Sequence, residues 1–456
     1  MTTDNHFDLV ILGGGPAGTS AAFGAAAKGI KTALVEPGFL GGACLNVGCI
    51  PTKFLLGASA SAPLFAVQKK YKVAAGDVHF DLPALQTRKD RFIKGSRQAL
   101  EKNLAEAGVA VIKGKGRLTG PNTISTGDTN PELTFGSCII ATGSLPASFP
   151  DLAPDGQSIR SSSGLLALTE CPQSLIIVGG GAIGIELGEI YHRLGSRITL
   201  VDAAERILPA EDPEISQTLH AYLARDGWKI HTGRKIASFT TLDGESVLRF
   251  EDGEELRAGA GLIAVGRKSG ASALGLESAG IATTEKGFIA TDENLRCAEN
   301  IYAVGDVNGR VLLAHAADNQ ARYALRRVAG EATGPYTPLP MPSCVYGTME
   351  VMRVGPTLAE LKAEGGAVST SRAPFAANAI AQSYGHTQGF VRMLWQGDML
   401  RAVSAVGHGA SHLVSAAALL VGREYVAGGT PPIIFAHPTL DEILESAILA
   451  SREYVE

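Results

Sequence analysis

Two stretches of this chain repeat one another without a gap at an offset of 166 residues. LVILGGGPAG, residues 9–18, leads through Gly29 to TALVE, which ends at Glu36. LIIVGGGAIG, residues 175–184, leads through Gly195 to ITLVD, which ends at Asp202. Each begins with a short apolar run suited to a buried parallel strand. Each then gives G-x-G-x-x-G, once as Gly13, Gly15 and Gly18 and once as Gly179, Gly181 and Gly184, and passes into an Ala- or Leu-rich helix. Each closes a second strand on an acid 23 residues after the first glycine. In such a motif the first glycine makes a tight turn, the second lets a pyrophosphate approach the backbone, and the third lets helix and strand pack closely. The helix N-terminus offers N–H groups and a positive dipole end to the phosphates, and the acid can accept bonds from an adenosine ribose. One such turn is common in α/β proteins. Two complete copies in register predict an α/β chain with two Rossmann-like dinucleotide-binding domains. Asp202 suits the ribose hydroxyls of NAD and repels a 2′-phosphate. Ala203 and Ala204 offer that phosphate no cation, and Arg206 is the nearest candidate for NADP.

Between the two motifs lies GGACLNVGCIPTK, residues 41–53, with Cys44 and Cys49 five positions apart. A regular helix would separate them axially by about 7.5 Å. A disulfide needs Cα atoms within about 4.4–6.8 Å, so a bond between them requires irregular chain. Asn46 and Gly48 tolerate such a bend. A small strained loop would give a labile disulfide of the catalytic kind. Zinc or two buried thiols are the alternatives; zinc wants four ligands, and no second Cys or His pair is suitably spaced nearby, so no metal site is expected. Cys138, in the apolar run SCIIATG, reads as a core residue, and Cys171, Cys297 and Cys344 are scattered.

Composition fits this reading. The 456 residues include 55 Gly, against about 32 at average usage. Gly365, Gly366, Gly428 and Gly429 fall in turns without a chemical reading. A net charge of −5 gives no electrostatic footprint for nucleic acid. The basic stretch Arg88, Lys89, Arg91, Lys94 and Arg97 reads as the solvated face of a helix. The N-terminal MTTDNHFDLVILGGG lacks a basic region followed by a long apolar one. The apolar stretch Leu413 to Val421 falls short of the roughly 20 residues that span a bilayer. The expectation is a soluble, cytoplasmic protein without membrane or nucleic-acid partners.

GGACLNVGCIPTK is close to GGTCLNVGCIPTK, with Ala43 in place of Thr. Around it come, in order, ATGS at 141–144, the second glycine motif, AVGR at 264–267, AVGD at 303–306, LAHAA at 313–317 and HPTLDE at 437–442. On these segments the chain resembles the class I pyridine nucleotide-disulfide oxidoreductases over essentially its whole length, and among them most the dihydrolipoamide dehydrogenases. LAH matches those enzymes, whereas the glutathione reductases carry a different tripeptide there. The resemblance implies that Gly13, Gly15, Gly18 and Glu36 hold the ADP half of FAD and that Asp306 bonds its ribityl or pyrophosphate region. LAHAA (Leu313, Ala314, His315, Ala316) would open a helix whose N-terminus faces the flavin pyrimidine. Lys53 would sit beside flavin N5, paired with Glu186. Further cofactor contacts implied are Pro16, Ala17, Gly42, Ala43, Ala141, Thr142, Gly143, Ile183, Gly266, Arg267 and Gly305, besides Gly179, Gly181, Gly184 and Asp202 for NAD.

The same resemblance implies a Cys44–Cys49 redox disulfide that oxidises a dihydrolipoyl dithiol, with Cys49 against the flavin and NAD as acceptor. His437 would be the base contributed from a partner subunit, oriented by Glu442, which makes a homodimer obligatory. The residues alone also allow a plainer reading: Thr439 and Glu442 form a T-x-x-E capping box that starts a helix, and His437 is a loop histidine. The two readings compete for one carboxylate. The implied domains are FAD binding at 1–147 and 274–338, NAD binding at 148–273, and an α+β dimerisation domain at 339–456 with two helices, joined through the Pro-rich 335–342 linker. Rival functions are an NAD(P)H-dependent reductase of another small disulfide and a non-catalytic flavoprotein. The family pattern is departed from at Phe435, at Gly347-Thr348-Met349-Glu350, at His412 and at Ser269-Gly270. These departures leave the natural lipoyl carrier and the dimer surface open.

Overall fold

The computed structural model describes residues 5–127, 131–426 and 433–455; Gly428 and Gly429 lie outside them. The chain divides into two compact units. The first comprises Met1–Pro51, Thr87–Ala147 and Gly266–Thr337, and the second Thr52–Gln86, Ser148–Val265 and Pro338–Glu456.

The first unit is built on a sheet with the strand order Arg296–Ala298, Ile301–Ala303, Leu133–Ile140, His6–Leu12, Thr32–Glu36, Ala110–Lys113. All neighbours in it run parallel except the first pair. Side chains alternate across a strand, so an unbroken apolar run buries both faces. Leu9 and Ile11 pack with Ala17, Ala21 and Leu34 on one side, and Val10 and Leu12 with Leu118 and Ile124 on the other. Helix Pro16–Ala26 starts on a proline and buries Ala17, Gly18, Ala21, Ala22 and Ala25. These small residues let it lie close against helix Ala314–Val328: a Cβ on Gly24 would stand 2.4 Å from Leu325 Cδ2.

The second unit contains a five-stranded parallel sheet, ordered Lys229–His231, Arg197–Val201, Ser174–Val178, Ala260–Ile263, Ile159–Ser161. The sequence echo is also an echo of register. Leu9 pairs with Thr32 and Leu12 with Val35; at the same offset Leu175 pairs with Ile198 and Val178 with Val201. A three-stranded meander, Ile236–Leu242, Glu245–Phe250 and Glu255–Ala258, covers part of this sheet with Phe239, Leu248 and Phe250. The C-terminal part is a six-stranded antiparallel sheet from Pro342–Val345 to Glu453–Tyr454. Four short α-helices accompany it among the described residues, Leu358–Glu364, Ala379–Tyr384, Val414–Leu420 and Glu442–Leu449, where the sequence pattern led us to expect two. Apolar helices of six to eight residues leave too little periodicity to be read.

Three expectations are refined by packing. The first unit takes the chain back at Gly266, earlier than residue 274. Strand Arg267–Ser269 pairs antiparallel with Ser144–Pro146, and the Gly270 amide donates to Gly143 O at 2.9 Å. A Cβ on Gly270 would lie 2.5 Å from Thr142 O, which accounts for a glycine at one departure from the family pattern. The basic stretch lies in helix Leu82–Glu106 with Arg88, Arg91 and Lys94 exposed. Lys89, however, is buried, and Arg97 turns onto the Phe39 ring at 3.9 Å, so the stretch is solvated on one side only. Finally, Gly42–Lys70 taken end to end is long and apolar enough to cross a membrane by length and composition. The run is broken at Gly48, and it carries Lys53, ion-paired with buried Glu186.

Within the second unit, buried Arg392 on the C-terminal sheet pairs with buried Asp212, which also accepts from the Leu358 amide at 3.0 Å. Removing Asp212 takes from Arg392 the nearer and more buried of its two acids among the described residues, leaving Glu214 at 3.6 Å. Asp212→Ala is expected to lower unfolding stability in urea by about 3 kcal/mol; a change below about 0.5 kcal/mol would show the pair to be dispensable.

Candidate active site

The two glycine loops are built alike. Gly13 and Gly179 have φ of +103° and +114°, open to glycine and strained for other residues. A Cβ on Gly18 would stand 1.8 Å from Gly13 O, and one on Gly184 2.0 Å from Gly179 O. These glycines let each helix cross its strand at backbone contact. At the middle position the reverse holds. A Cβ on Gly181 meets nothing within 4 Å, and one on Gly15 meets only Gly42 Cα at 3.8 Å. The helices that follow have no side-chain cap and no acid in their first turn. Open space, uncapped amides and a positive dipole end form a cradle for a pyrophosphate at each loop.

Each acid is held by two backbone amides at corresponding positions. Glu36 accepts from Gly14 and Gly38, both at 2.7 Å. Asp202 accepts from Gly180 at 2.6 Å and Ala204 at 2.8 Å. The carboxylate is thereby tied to the loop it serves. Arg206 spends its guanidinium on the carbonyls of Pro209 (3.0 Å) and Glu211 (3.4 Å), which withdraws the nearest cation from a 2′-phosphate. Ile183 lies in the first turn of helix Ala182–Arg193.

The remaining first-unit residues gather around ATGS and AVGD. Ala141 and Thr142 form the loop against which Gly13 packs, a Cβ there standing 2.4 Å from Ala141 O, and Gly143 has φ +68°. Asp306 accepts from Ser144 Oγ, and Arg267 Nε donates to the same hydroxyl at 2.6 Å while lying 3.6 Å from Asp306 Oδ2. Arg267 is thus a clamp on the Ser144–Asp306 pair inside the first unit. Gly305 donates to Gln320 at 2.8 Å, and helix Ala314–Val328 begins directly after Leu313 with no side-chain cap and no acid in its first turn. Ser144 and Gln320 escaped the sequence reading, although Ser144 sits inside the quoted ATGS.

Cys44 lies half-buried in helix Gly42–Val47, and Cys49, exposed, opens helix Cys49–Ala58. Gly48 separates the two helices at φ −136°, ψ −110°, so the cysteines do not share one regular helix. A Cβ on Gly48 would stand 2.9 Å from Ala43 O. Asn46 is a brace as well as a bend: its amide donates to Gly42 O at 2.7 Å and Leu40 O at 3.0 Å, and Arg97 donates to its Oδ1. Cys138 is wholly buried, and burial pushes its thiol well above the usual range.

In the second unit Lys53 Nζ lies 2.5 Å from Glu186 Oε2, and Glu186 Oε1 accepts from the Tyr346 amide at 3.2 Å. Burial raises the Glu186 carboxyl above its ordinary value, against the charge and hydrogen bond of Lys53. At the departure at 347–349, Gly347 lies close to Glu189, a Cβ there standing 3.2 Å from Glu189 Cγ. Buried Glu189 accepts at Oε1 from the Thr348 amide at 2.7 Å and from its hydroxyl, and Arg193 lies 3.3 Å from the same oxygen.

At the C-terminal turn Glu442 divides its two oxygens between two partners. Oε1 lies 2.8 Å from His437 Nδ1, and Oε2 accepts from the Thr439 amide at 2.8 Å. The other half of a capping box is missing: Thr439 Oγ1 donates to Ala436 O, and helix Glu442–Leu449 starts at Glu442 itself. The His437 side chain is 78% exposed. Phe435 packs against the C-terminal core, and His412 is exposed.

Comparison with known proteins places these features. The pyridine nucleotide-disulphide oxidoreductase pattern matches residues 7–321, and the dimerisation domain of the same family matches 341–448. Dihydrolipoyl dehydrogenase of Chlorobaculum tepidum is 37% identical, over 97% of this chain and 96% of its own. That of Bacillus subtilis is 35% identical, over 98% of each. Among solved structures, LpdA from Mycobacterium tuberculosis has a TM-score of 0.88 at 26% identity, covering 96% of this chain and 98% of its own. The HOCl-induced flavoprotein disulfide reductase RclA from Escherichia coli has a TM-score of 0.86 at 26% identity, covering 97% and 99%.

Two predictions follow from this geometry. Gly181→Ala, which meets nothing in the protein, should leave the melting temperature within about 2 °C and weaken NADH binding at least about tenfold; unchanged NADH affinity would place the phosphates elsewhere. The Thr439 amide, then the His437 imidazole, hold the Glu442 carboxyl below its ordinary value. A lowered folded-state pKa gives stability that is present above the unfolded value and lost as pH falls through the folded one. Hydrogen exchange at the Thr439 amide should therefore stay slow at pH 5 and speed up only below the ordinary carboxylate range, near pH 4. Loss of protection at pH 6 would contradict this.

Proposed function

Because this chain belongs to the pyridine nucleotide-disulphide oxidoreductase family, we propose that it works as a dihydrolipoamide dehydrogenase, which oxidises a dihydrolipoyl dithiol with FAD as cofactor and NAD as acceptor. The relatives named above support this over nearly the whole chain. The structural observation that carries it is the exposed His437 held by Glu442 at 2.8 Å. An imidazole oriented by a carboxylate suits a general base for a thiol, and its exposure suits delivery to another copy of the chain.

FAD fits the first cradle at Gly13, Gly15, Gly18 and Glu36, and NAD the second at Gly179, Gly181, Gly184 and Asp202. The flavin, when bound, supplies the two-electron link between thiolate and nicotinamide. The chain's own residues do the rest. His437 of the partner subunit takes a proton from the first substrate thiol, and Glu442 stabilises the imidazolium. The substrate thiolate attacks Cys44 Sγ of an oxidised Cys44–Cys49 pair. A substrate–Cys44 bond forms while the Cys44–Cys49 bond breaks, leaving Cys49 as thiolate. The second substrate thiol attacks the sulfur bound to Cys44, and the cyclic disulfide leaves with Cys44 as thiol. Lys53, steadied by Glu186, places positive charge beside the cofactor. The dimerisation domain supports a homodimer, and the shared site is part of this reading. The departures at Phe435, Met349 and His412 fit a specialised lipoyl carrier.

Anaerobic addition of dihydrolipoamide should reduce the flavin and then NAD. Cys49→Ser should abolish turnover, and His437→Gln should lower kcat with dihydrolipoamide by about 10²–10⁴-fold. Turnover of glutathione or other small disulfides with NADH, without activity on lipoamide, would overturn the assignment. Persistent activity in Cys49→Ser would overturn the thiol route.

A further inference from the structure

Tyr346 lies outside every motif quoted above, yet it touches both members of the Lys53–Glu186 pair. Its amide donates to Glu186 Oε1 at 3.2 Å. Its ring faces Lys53, with Nζ 4.7 Å from the ring centroid. The lysine side chain is 35% exposed while the glutamate is 6% exposed, so the carboxylate is fixed and the ammonium is the member free to swing. Tyr346 is carried at the end of strand Pro342–Val345, on the sheet whose Val345 packs in the same core as Leu55 and Leu56 of the lysine helix and Leu187 of the glutamate helix. The ring is therefore held by the same packing that holds the pair.

An ammonium held 2.5 Å from a single carboxylate oxygen can still rotate about that contact. A ring face on its other side narrows the directions it can take, since the ring quadrupole attracts the cation. From this geometry we infer that Tyr346 is a positioning residue: its aromatic face fixes where the Lys53 charge is presented to the flavin, and so tunes how readily the flavin accepts electrons. The inference rests on the reading that Lys53 serves a bound flavin. The backbone bond to Glu186 is unaltered by substitution, so side-chain variants isolate the ring. The phenol is separable too. Cys344 lies close enough to influence it, and Tyr346→Phe removes the hydroxyl while keeping the face.

The test is the flavin midpoint potential of the holoenzyme, obtained by anaerobic photoreduction against a reference dye, with Tyr346→Phe, Tyr346→Leu, Lys53→Met and the Lys53→Met/Tyr346→Leu double variant. Photoreduction needs no dithiol, so the result stands apart from substrate identity. Failure of the proposed function would show as absent dihydrolipoamide turnover in the wild type. Phe is expected to keep the wild-type potential. Leu is expected to shift it to more negative values, with kcat down about three- to tenfold at unchanged KM. In the Lys53→Met background Leu should add no further shift, because the ring then has no cation to hold. A full Leu shift in that background would assign the effect to general packing and overturn the inference. So would equal shifts in Phe and Leu, which would assign it to the hydroxyl, or no shift in Leu.

Discussion

The structure depends on one close approach made twice: the third glycine of each loop against the carbonyl of the first. A Cβ at Gly18 or Gly184 would stand 2.0 Å or less from that oxygen. Only with hydrogen there can the helix cross its strand tightly enough for the loop to turn its middle glycine outward. Everything the loop offers an anion follows from this crossing. The first amides of the helix lack side-chain caps, and the neighbouring strand ends within reach of the loop. The acid on that neighbouring strand accepts an amide from the loop in both copies, so loop and acid form one unit.

The repeat is duplicated in physics and diverges in surroundings. Gly15 has Gly42 beside it, because the cysteine-bearing segment returns to the first loop. A Cβ on Gly181 would meet nothing within 4 Å. In the first unit Arg267, Ser144 and Asp306 converge as a clamp drawn from three separated stretches of chain. In the second, Lys53, Glu186 and Tyr346 do the same. Both clusters join a cation to a carboxylate that is largely withdrawn from solvent. There the bonds are strengthened and the unpaired state is costly.

At the C-terminal turn one carboxylate serves two partners. Glu442 uses one oxygen to tie down the Thr439 amide and the other to orient His437. The tie to the Thr439 amide holds the carboxylate still, so its contact with His437 needs no separate scaffold. The departures from the family pattern have similar local causes where the structure reaches them. Gly270 admits a backbone contact with Thr142 and Gly143, and Gly347 lies close to the buried Glu189 side chain.

Strand registers, glycine roles and the paired acids were legible from sequence because they are local. A 23-residue spacing places an acid one strand over whatever the rest of the chain does. The break at Gly48 was legible for the same reason, since two cysteines five apart cannot bond across a regular helix. Side chains that meet across long separations were not legible. Ser144 with Asp306, Arg97 with Asn46 and Tyr346 with Glu186 are distant in sequence, and no spacing rule joins them. The same holds for Lys89, whose burial within a basic run comes from packing around its helix. The order of motifs along the chain specified two nucleotide cradles and a cysteine pair. Tertiary packing decided which side chains brace them, because hydrogen bonds and cation–ring contacts act over a few ångströms of space and leave no period in the chain.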